Sequence, residues 1–251
     1  MARRLTIAIA AATAAVVIFV WLPAHAAGLG VLHLDPSKGG GETFSVPIQI
    51  LLLMSGLVFL PAILLTMTAF TRIIIVLALL RQALGLTQTP PNQILIGLSL
   101  FLTVFVMGPV LTRINGTALQ PLLNNKISVT EAIDRSEGPI KAFMLKQTRR
   151  DDLGLFLKLA GGKTYPSAQD VPFRLVVPAF VTSELKTGFQ IGFLIFLPFI
   201  VIDMVVAAVM MSLGMMLLSP TTVSLPIKLM LFVLVNGWTL VIGSLSQGFL
   251  R

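Results

Sequence analysis

The sequence predicts an all-α, polytopic membrane protein built from long apolar helical hairpins and one small helical extracytoplasmic region. Apolar residues make up 56% of the 251 residues and charged residues 11%, whereas soluble domains carry about 25% charged residues. Between Thr187 and Leu250 the only charged residues are Asp203 and Lys228. This segment predicts two helices, 188–218 and 226–249, each longer than the roughly 20 apolar residues that cross a bilayer.

The composition also excludes several classes of protein. The chain has no cysteine, so the sequence offers neither a disulfide framework nor a thiolate metal site. The net charge of +8 comes from basic residues spread along the chain, without the aromatic and basic patch that would indicate nucleic-acid binding. The sequence shows no complete nucleotide-binding motif and no catalytic constellation. We therefore expect no enzymatic activity, no cofactor and no metal.

The N-terminal residues are typical of a secretory signal peptide, predicted over residues 1–26. Two arginines precede an apolar core, and Ala24-His25-Ala26 is a small-residue cleavage site. Cleavage is expected between Ala26 and Ala27, which would place the mature N-terminus outside the cytoplasm. An uncleaved anchor helix is the alternative. Residues 27–45 form a glycine-rich segment that predicts a flexible linker.

Residues 46–112 predict the first apolar helical hairpin, with spans at 47–68 and 94–111. Between these spans, Arg72 and Arg81 are the only charged residues. Basic residues concentrate in cytoplasmic loops. Arg72 and Arg81 therefore predict that the turn of this hairpin faces the cytoplasm.

Residues 113–186 hold eleven of the eighteen basic and seven of the ten acidic residues, and they predict the extracytoplasmic helical region. Ser128 and Glu131 fit a capping box at a helix start. Three further helix starts are predicted at prolines, which favour the first helical turn. Thr89 would cap a helix with Pro90 as its first residue, Pro139 would open a second helix, and Pro178 would open the helix that continues into residues 187–251.

The charges in residues 187–251, the second apolar hairpin, need partners because ionisable groups at membrane depth are costly. Lys228 could pair with Asp203 or with Glu184. The arm from residue 184 to residue 220 is up to about 50 Å long at 1.5 Å per residue. A Glu184–Lys228 pair therefore needs a second subunit or a strongly folded arm, whereas an Asp203–Lys228 pair fits more easily within one chain.

Small and aromatic residues indicate how this second hairpin packs. Gly188 and Gly192 have the spacing of a close helix approach. Phe189, Phe193 and Phe196 fall on one helix face. The tip of the hairpin contains no lysine or arginine, which is unusual for a cytoplasmic loop. Either Arg72 and Arg81 alone fix the orientation, or the hairpin does not cross as a normal pair of spans. Burial in a protein assembly would explain both the uncharged tip and the retained charges.

Several sequence blocks together resemble the FliP family of flagellar export-gate proteins and its SctR-type counterparts in virulence type III secretion. The resemblance covers the chain from about Ile50 to its end. The blocks that carry it are Phe70–Leu77, Leu80–Gly85, Thr89–Gln93, Pro178–Lys186, Phe199–Asp203, Gly214–Met216 and Leu225–Phe232. The predicted signal peptide is also a feature of this family.

The resemblance implies a homo-oligomer of about five copies, closed with FliQ and FliR, through which unfolded flagellar subunits pass. Such a subunit would belong to the flagellar basal body in the bacterial inner membrane, beside an FlhB-type protein. It also implies a pore gasket at Met215, Met216 and Leu217, with Leu217 standing where Met is common.

The resemblance further implies roles for individual side chains. Phe143, Phe156, Phe196 and Glu184 match positions that line the pore in the family. A salt bridge between Glu184 of one subunit and Lys228 of the next is similar to the family pattern. The favoured function is a pore-forming core subunit of the export gate. The alternative is a small-solute or ion transporter that uses Asp203 and Lys228.

Overall fold

A computed structural model of the chain describes residues 46–215 and 218–250. The predicted signal peptide, the cleavage site at Ala26 and Ala27, and the predicted linker lie outside the described residues. The described part of the chain is helical and contains no β-strand, which confirms the all-α prediction. Two compact units divide at Leu57 and Val58, and the packing described below belongs to the second unit.

The helices follow one another with short connections. In chain order they are α1 (Val46–Thr66), α2 (Phe70–Ala83), α3 (Asn92–Val106), α4 (Gly108–Ile114), α5 (Gln120–Leu123), α6 (Val129–Gln147), α7 (Arg150–Leu159), α8 (Phe173–Ser212), α9 (Pro220–Leu234) and α10 (Gly237–Leu250). One π-helical turn, Asn115–Leu119, connects α4 to α5, and a 3₁₀ turn, Ala168–Asp170, precedes α8.

The 40-residue helix α8 is the axis on which the other elements pack. Its mean hydropathy over the most apolar 18 residues is 2.7, and it is the one described helix that is long and apolar enough to span a membrane alone. Three further pairs of consecutive helices are bent at a short break, by 74°, 61° and 64°. The described part of the chain therefore offers between one and four spans.

The structure corrects three helix starts that were predicted at prolines. Helix α8 begins at Phe173 and continues through Pro178, and α6 continues through Pro139. A proline fixes a helical φ and removes one hydrogen bond, so a long helix with other stabilising contacts can contain one. Helix α3 begins at Asn92 rather than Pro90, because a residue that precedes a proline is disfavoured in the helical region.

The predicted helix at 226–249 is also wrong. Helix α9 starts earlier, with Pro220 in its first turn, and contains Pro226. The arm then breaks at Val235 and Asn236, where Asn236 adopts a φ of +54°, and α9 and α10 are bent by 64°. Asparagine is one of the few residues that visits this left-handed conformation readily. The other arm ends at Ser212 instead of residue 218.

The close approach predicted at Gly188 and Gly192 is confirmed, and the predicted capping box is half formed. Ser128 caps α6, and its hydroxyl oxygen accepts the backbone N–H of Glu131 at 3.2 Å, whereas the carboxylate of Glu131 accepts from Arg135. Gly192 brings α8 against α2 so closely that an added Cβ would lie 2.1 Å from Leu79 Cδ1. At Gly188 an added Cβ would lie 3.2 Å from Ile75 Cγ2.

The apolar core lies along the buried side of α8 and α2. One cluster around Ile73 and Leu77 joins α2 to α3 and to Phe249 of α10. A second cluster joins Leu80 to Phe199 and Phe232. The third packs α6 against the first turns of α8 through Met144, Val171, Val176 and Phe180. These clusters fix the polar side chains that lie between them.

Candidate functional site: buried charges and the methionine turn

A buried ion pair joins α2 to α8. The side chains of Arg72 and Glu184 are 5% and 0% exposed. Arg72 Nε donates to Glu184 Oε2 at 2.8 Å, and Arg72 Nη2 donates to Glu184 Oε1. A guanidinium that bonds both oxygens of a carboxylate makes one of the strongest and most directional pairs available to side chains. The pair therefore fixes the rotation of α2 against α8.

Two more elements meet at this ion pair. Arg72 Nη2 also donates to Gln147 Oε1 of α6 at 3.1 Å, and Gln147 Nε2 donates to the carbonyl oxygen of Phe249 at 3.3 Å. The guanidinium carbon of Arg72 lies 3.9 Å from the centre of the Phe249 ring. We call Arg72, Gln147, Glu184 and Phe249 the arginine cluster. It connects α2, α6, α8 and α10 at a single point.

The role of Arg72 differs from the one its sequence position predicts. Between two apolar spans Arg72 predicts a marker of the cytoplasmic side, whereas the structure buries it within the fold. Glu184 follows Arg72 by 112 positions, so no local pattern connects the two. The available signal was the position of Arg72 inside an otherwise uncharged helix. A charge there needs a partner of opposite sign.

The second ion pair joins α9 to α8. Lys228 Nζ lies 2.6 Å from Asp203 Oδ2 and 3.2 Å from the carbonyl oxygen of Ala83. Ser224 donates to Asp203 Oδ1 at 2.6 Å. The side chain of Lys228 is 6% exposed and that of Asp203 is 37% exposed. The structure thus contains the Asp203–Lys228 pair within one chain.

The pair between Glu184 and Lys228 stays a prediction because the structure describes a single chain. Within that chain Glu184 is bonded to Arg72 and Lys228 is bonded to Asp203. An inter-subunit bridge would therefore add to these pairs or replace them.

A third polar cluster joins α7 to α8. Asp152 is 1% exposed, and its carboxylate accepts from Ser183 Oγ at 2.8 Å and from Lys186 Nζ. The backbone N–H of Arg149 donates to the same Ser183 hydroxyl at 3.0 Å. Burial raises the pKa of Asp152. The hydrogen bonds from Lys186 and Ser183 and the positive charges of Lys186 and Arg149 lower it by more than burial raises it, so the pKa of Asp152 is below its usual value. The carboxylate is therefore ionised.

The side chains expected to line a pore occupy different environments in the single chain. Phe143 packs edge-on against Phe180, with ring centres 5.9 Å apart, and stacks on Phe249 at 6.3 Å. Phe143 thus adjoins the arginine cluster, of which Glu184 is a member. Phe156 is half-buried on α7, and Phe196 is half-buried against the Leu80–Phe199 cluster.

The expected gasket lies at the turn between α8 and α9. Helix α8 ends at Ser212, Gly214 takes a φ of +74°, and the side chain of Met215 is 41% exposed. The positive φ favours glycine because it has no Cβ. Met216 and Leu217 lie outside the described residues. We call residues 210–218 the methionine turn.

The outward face of α8 is apolar and exposed. Phe189 and Phe193 are 58% and 61% exposed, and Met204 is 67% exposed. The predicted stripe of phenylalanines is thus exposed at its first two positions and half-buried at Phe196. Exposed apolar area on this scale marks a surface that contacts lipid or another protein. Among the described residues, no cluster of His, Cys, Asp and Glu could hold a metal ion.

These features define an all-α membrane protein whose helices are tied together by internal ion pairs and whose outer surface is apolar. The model of the FliP family matches residues 43–245. Flagellar biosynthetic protein FliP of Pectobacterium carotovorum subsp. carotovorum is 56% identical over 86% of this chain and 83% of its own length. The protein of the same name from Bacillus subtilis (strain 168) is 53% identical over 85% of this chain and 96% of its own length.

A third relative, flagellar biosynthetic protein FliP of Buchnera aphidicola subsp. Baizongia pistaciae, is 50% identical over 93% of this chain, which spans 65% of that relative's length. The chain belongs to the FliP family. It is therefore a flagellar biosynthesis protein of the membrane-bound export apparatus. The resemblance found in the sequence is confirmed.

Proposed function

We propose that the chain is a pore-forming core subunit of the flagellar type III export gate and conducts unfolded flagellar subunits across the inner membrane. The observation that carries this proposal is the methionine turn. Met215 is 41% exposed at the tip of two apolar helices, with no ionisable residue between Asp203 and Lys228. Methionine side chains are flexible and polarizable, so a ring of them can seal around a narrow opening and yield to a passing chain.

The buried ion pairs support an assembly of several copies. Arg72, Glu184 and Lys228 each find their partners inside the chain, so the outer face of α8 carries apolar side chains such as Phe189 and Phe193. An uncharged, ridged face of this kind can pack against the same protein in a closed ring. About five copies, as the family resemblance implies, would place five methionine turns around one axis.

The proposed location and companions follow from the same family. The subunit would be a multi-pass protein of the bacterial inner membrane at the flagellar basal body. FliQ-, FliR- and FlhB-type proteins would complete the gate, and exported flagellar proteins would be its substrates. Glu184 and Lys228 of neighbouring copies could bridge only if Glu184 shares its carboxylate with Arg72 or releases it.

The transporter alternative receives less support from the geometry. A coupling or substrate site needs groups that are free to exchange partners. Lys228 is 5% exposed and bonds Asp203 and the carbonyl oxygen of Ala83. Asp203 in turn accepts the Ser224 hydroxyl. These contacts describe a structural brace between α8 and α9.

Native mass spectrometry of the complex extracted from its own membranes tests the copy number. We expect about five copies of this chain together with smaller membrane proteins. A monomer or dimer without companions would contradict the proposal.

Ion leakage through the resting membrane tests the seal. Met215→Ala and Met216→Ala should raise leakage, because each removes flexible side-chain volume from the gasket. Met230→Ala is the matched control, since Met230 is 60% exposed on α9 and lies outside the turn. If Met215→Ala and Met216→Ala leak ions no more than Met230→Ala does, the methionine turn does not form the seal.

A further inference from the structure

A cavity with an apolar lining and two cations lies at the junction of α3, α4, α6 and α10. Its volume is about 300 Å³, at the lower end of the range for small-molecule pockets. From α6 it is lined by Pro139, Ala142, Phe143 and Lys146, which stand at i, i+3, i+4 and i+7 and so share one helix face. The cavity is thus built by one continuous face of a helix.

The opposite wall repeats the same chemistry. It is formed by Val106, Pro109, Val110 and Arg113, with Phe249 of α10 beside them. Each wall therefore runs from apolar residues to one cation, Lys146 on one side and Arg113 on the other. Among the described residues that line the cavity, none is acidic.

The two cations are available to a ligand. Arg113 and Lys146 are both exposed, and within the described part of the chain no salt bridge engages either one. Arg113 is the first charged residue after Arg81, so it stands where an uncharged stretch ends. Basic residues at such a boundary meet the headgroup layer of a bilayer.

We propose that this cavity binds an anionic phospholipid. The phosphate diester would lie between Arg113 and Lys146, and the first part of one acyl chain would lie against Val110, Ala142 and Phe143. Basic pockets between membrane helices select anionic headgroups in this way. The apolar wall supplies a contact that a free anion would not use. A lipid at this position would compete with the pore-lining role expected for Phe143, because a ring that packs on an acyl chain does not face the conduit.

The test measures retained lipid by native mass spectrometry on the intact complex. The delipidated complex is titrated with phosphatidylglycerol or with phosphatidylcholine of the same acyl chains. The wild type should retain phosphatidylglycerol preferentially. The double variant Arg113→Gln with Lys146→Gln should lose about 25-fold in affinity for phosphatidylglycerol, from about fivefold for each cation.

A matched control removes the same charge elsewhere. Lys126→Gln with Arg150→Gln changes two exposed cations that do not line the cavity and should leave retention unchanged. An equal loss in both double variants would show a general charge effect and overturn the site. Equal retention of the two lipids by the wild type would overturn it as well.

A second variant separates a lipid from a free anion. Ala142→Trp fills the apolar part of the cavity and keeps both cations, so it should weaken phosphatidylglycerol binding by about tenfold or more if an acyl chain is buried there. Retention equal to the wild type would contradict the acyl contact. Displacement of phosphatidylglycerol by an equal concentration of inorganic phosphate would assign the cations to a soluble anion and overturn the lipid proposal.

Discussion

The two halves of α8 have opposite relations to the rest of the chain. The first half, through Gly188, buries Val176, Phe180 and Glu184, each 0% exposed. The second half is more apolar, yet Phe193 is 61% exposed and the most apolar 18-residue stretch of the helix is 11% buried. The half that fully buries a carboxylate, Glu184, lies inside the fold, and the more apolar half faces outward.

This difference separates two functions of one helix. Packing and hydrogen bonds in the first half define the fold of the single subunit. In the second half a stripe with Phe199, Val206 and Met210 packs inward, and the remaining apolar surface is available to lipid or to other subunits. Burial within one chain is therefore a poor guide to which apolar residues are structural in an assembled membrane complex.

The largest expected effect comes from breaking the ion pair of the first half. Glu184→Ala leaves the guanidinium of Arg72 buried without its carboxylate, which should lower the free energy of unfolding by about 3–5 kcal/mol. The matched control is Glu131→Ala. Glu131 pairs with Arg135 at 2.6 Å while both side chains are nearly half exposed, so its loss should be about 0.3–0.5 kcal/mol. Chemical unfolding in detergent, followed by circular dichroism, measures both.

A double variant distinguishes the buried charge from the lost volume. Arg72→Met with Glu184→Met removes both charges and keeps most of the apolar packing, so it should recover most of the stability. If Glu184→Ala and Glu131→Ala lower the free energy of unfolding by the same amount, the Arg72–Glu184 pair does not explain the difference between the two halves of α8.

The boundary between the halves should respond to added volume. Gly192→Ala places a methyl group 2.1 Å from Leu79 Cδ1 and 3.1 Å from Leu79 Cβ, so α2 and α8 must separate or Leu79 must move. Overpacking of this kind costs about 1–3 kcal/mol. The measurement is the melting temperature of the purified complex.

Gly97→Ala is the control for the chemistry of the substitution. Gly97 also lies in a helix, and nothing lies within 4 Å of its added Cβ. Alanine favours the helix over glycine by up to about 1 kcal/mol, so this variant should be neutral or more stable. Destabilisation of both variants by the same amount would show that close packing at Gly192 is not the cause.

The smallest effect is a pH dependence at Asp152. Its pKa is lower in the folded chain than the value of about 3.9 expected for an unfolded one. The ionised carboxylate therefore stabilises the fold at pH values above the unfolded pKa. That contribution is lost as the pH falls through the lower, folded-state pKa. Because Lys186 is 53% exposed, the contribution should be about 1 kcal/mol or less.

Asp152→Asn should flatten this acid dependence. The exchange of α7 amide hydrogens, measured between about pH 6 and pH 3, should show less acid-induced opening in the variant than in the wild type. Asp151→Asn controls for the loss of one negative charge on an exposed neighbour. An unchanged pH dependence in Asp152→Asn would show that the Asp152 carboxylate does not cause the acid-induced opening of α7.

The features that the sequence predicted correctly depend on local spacing. Ser128 and Glu131 stand three residues apart and form a cap, and Gly188 and Gly192 stand four apart on the face that meets α2. The Arg72–Glu184 pair could not be predicted this way, because tertiary packing brings together residues 112 positions apart.

Other misses had a local signal. The break between α9 and α10 falls at Asn236-Gly237, a dipeptide that is typical of turns. The long apolar run on both sides of this dipeptide favoured a single continuous helix. The prolines were misleading in the opposite direction. Pro139 lies inside α6 and Pro178 inside α8, because the packing of a long helix compensates for a single missing hydrogen bond.

In the proposed gate, the methionine turn faces the path of the exported chain. Since the chain contains no cysteine, Met215→Cys and Met230→Cys each introduce one thiol per copy of this chain, at a known position. An exported protein stalled in transit and carrying a thiol-reactive cross-linker should react with the cysteine at position 215 and leave the one at 230 unmodified. Cross-linking at position 230 without any at 215 would contradict the claim.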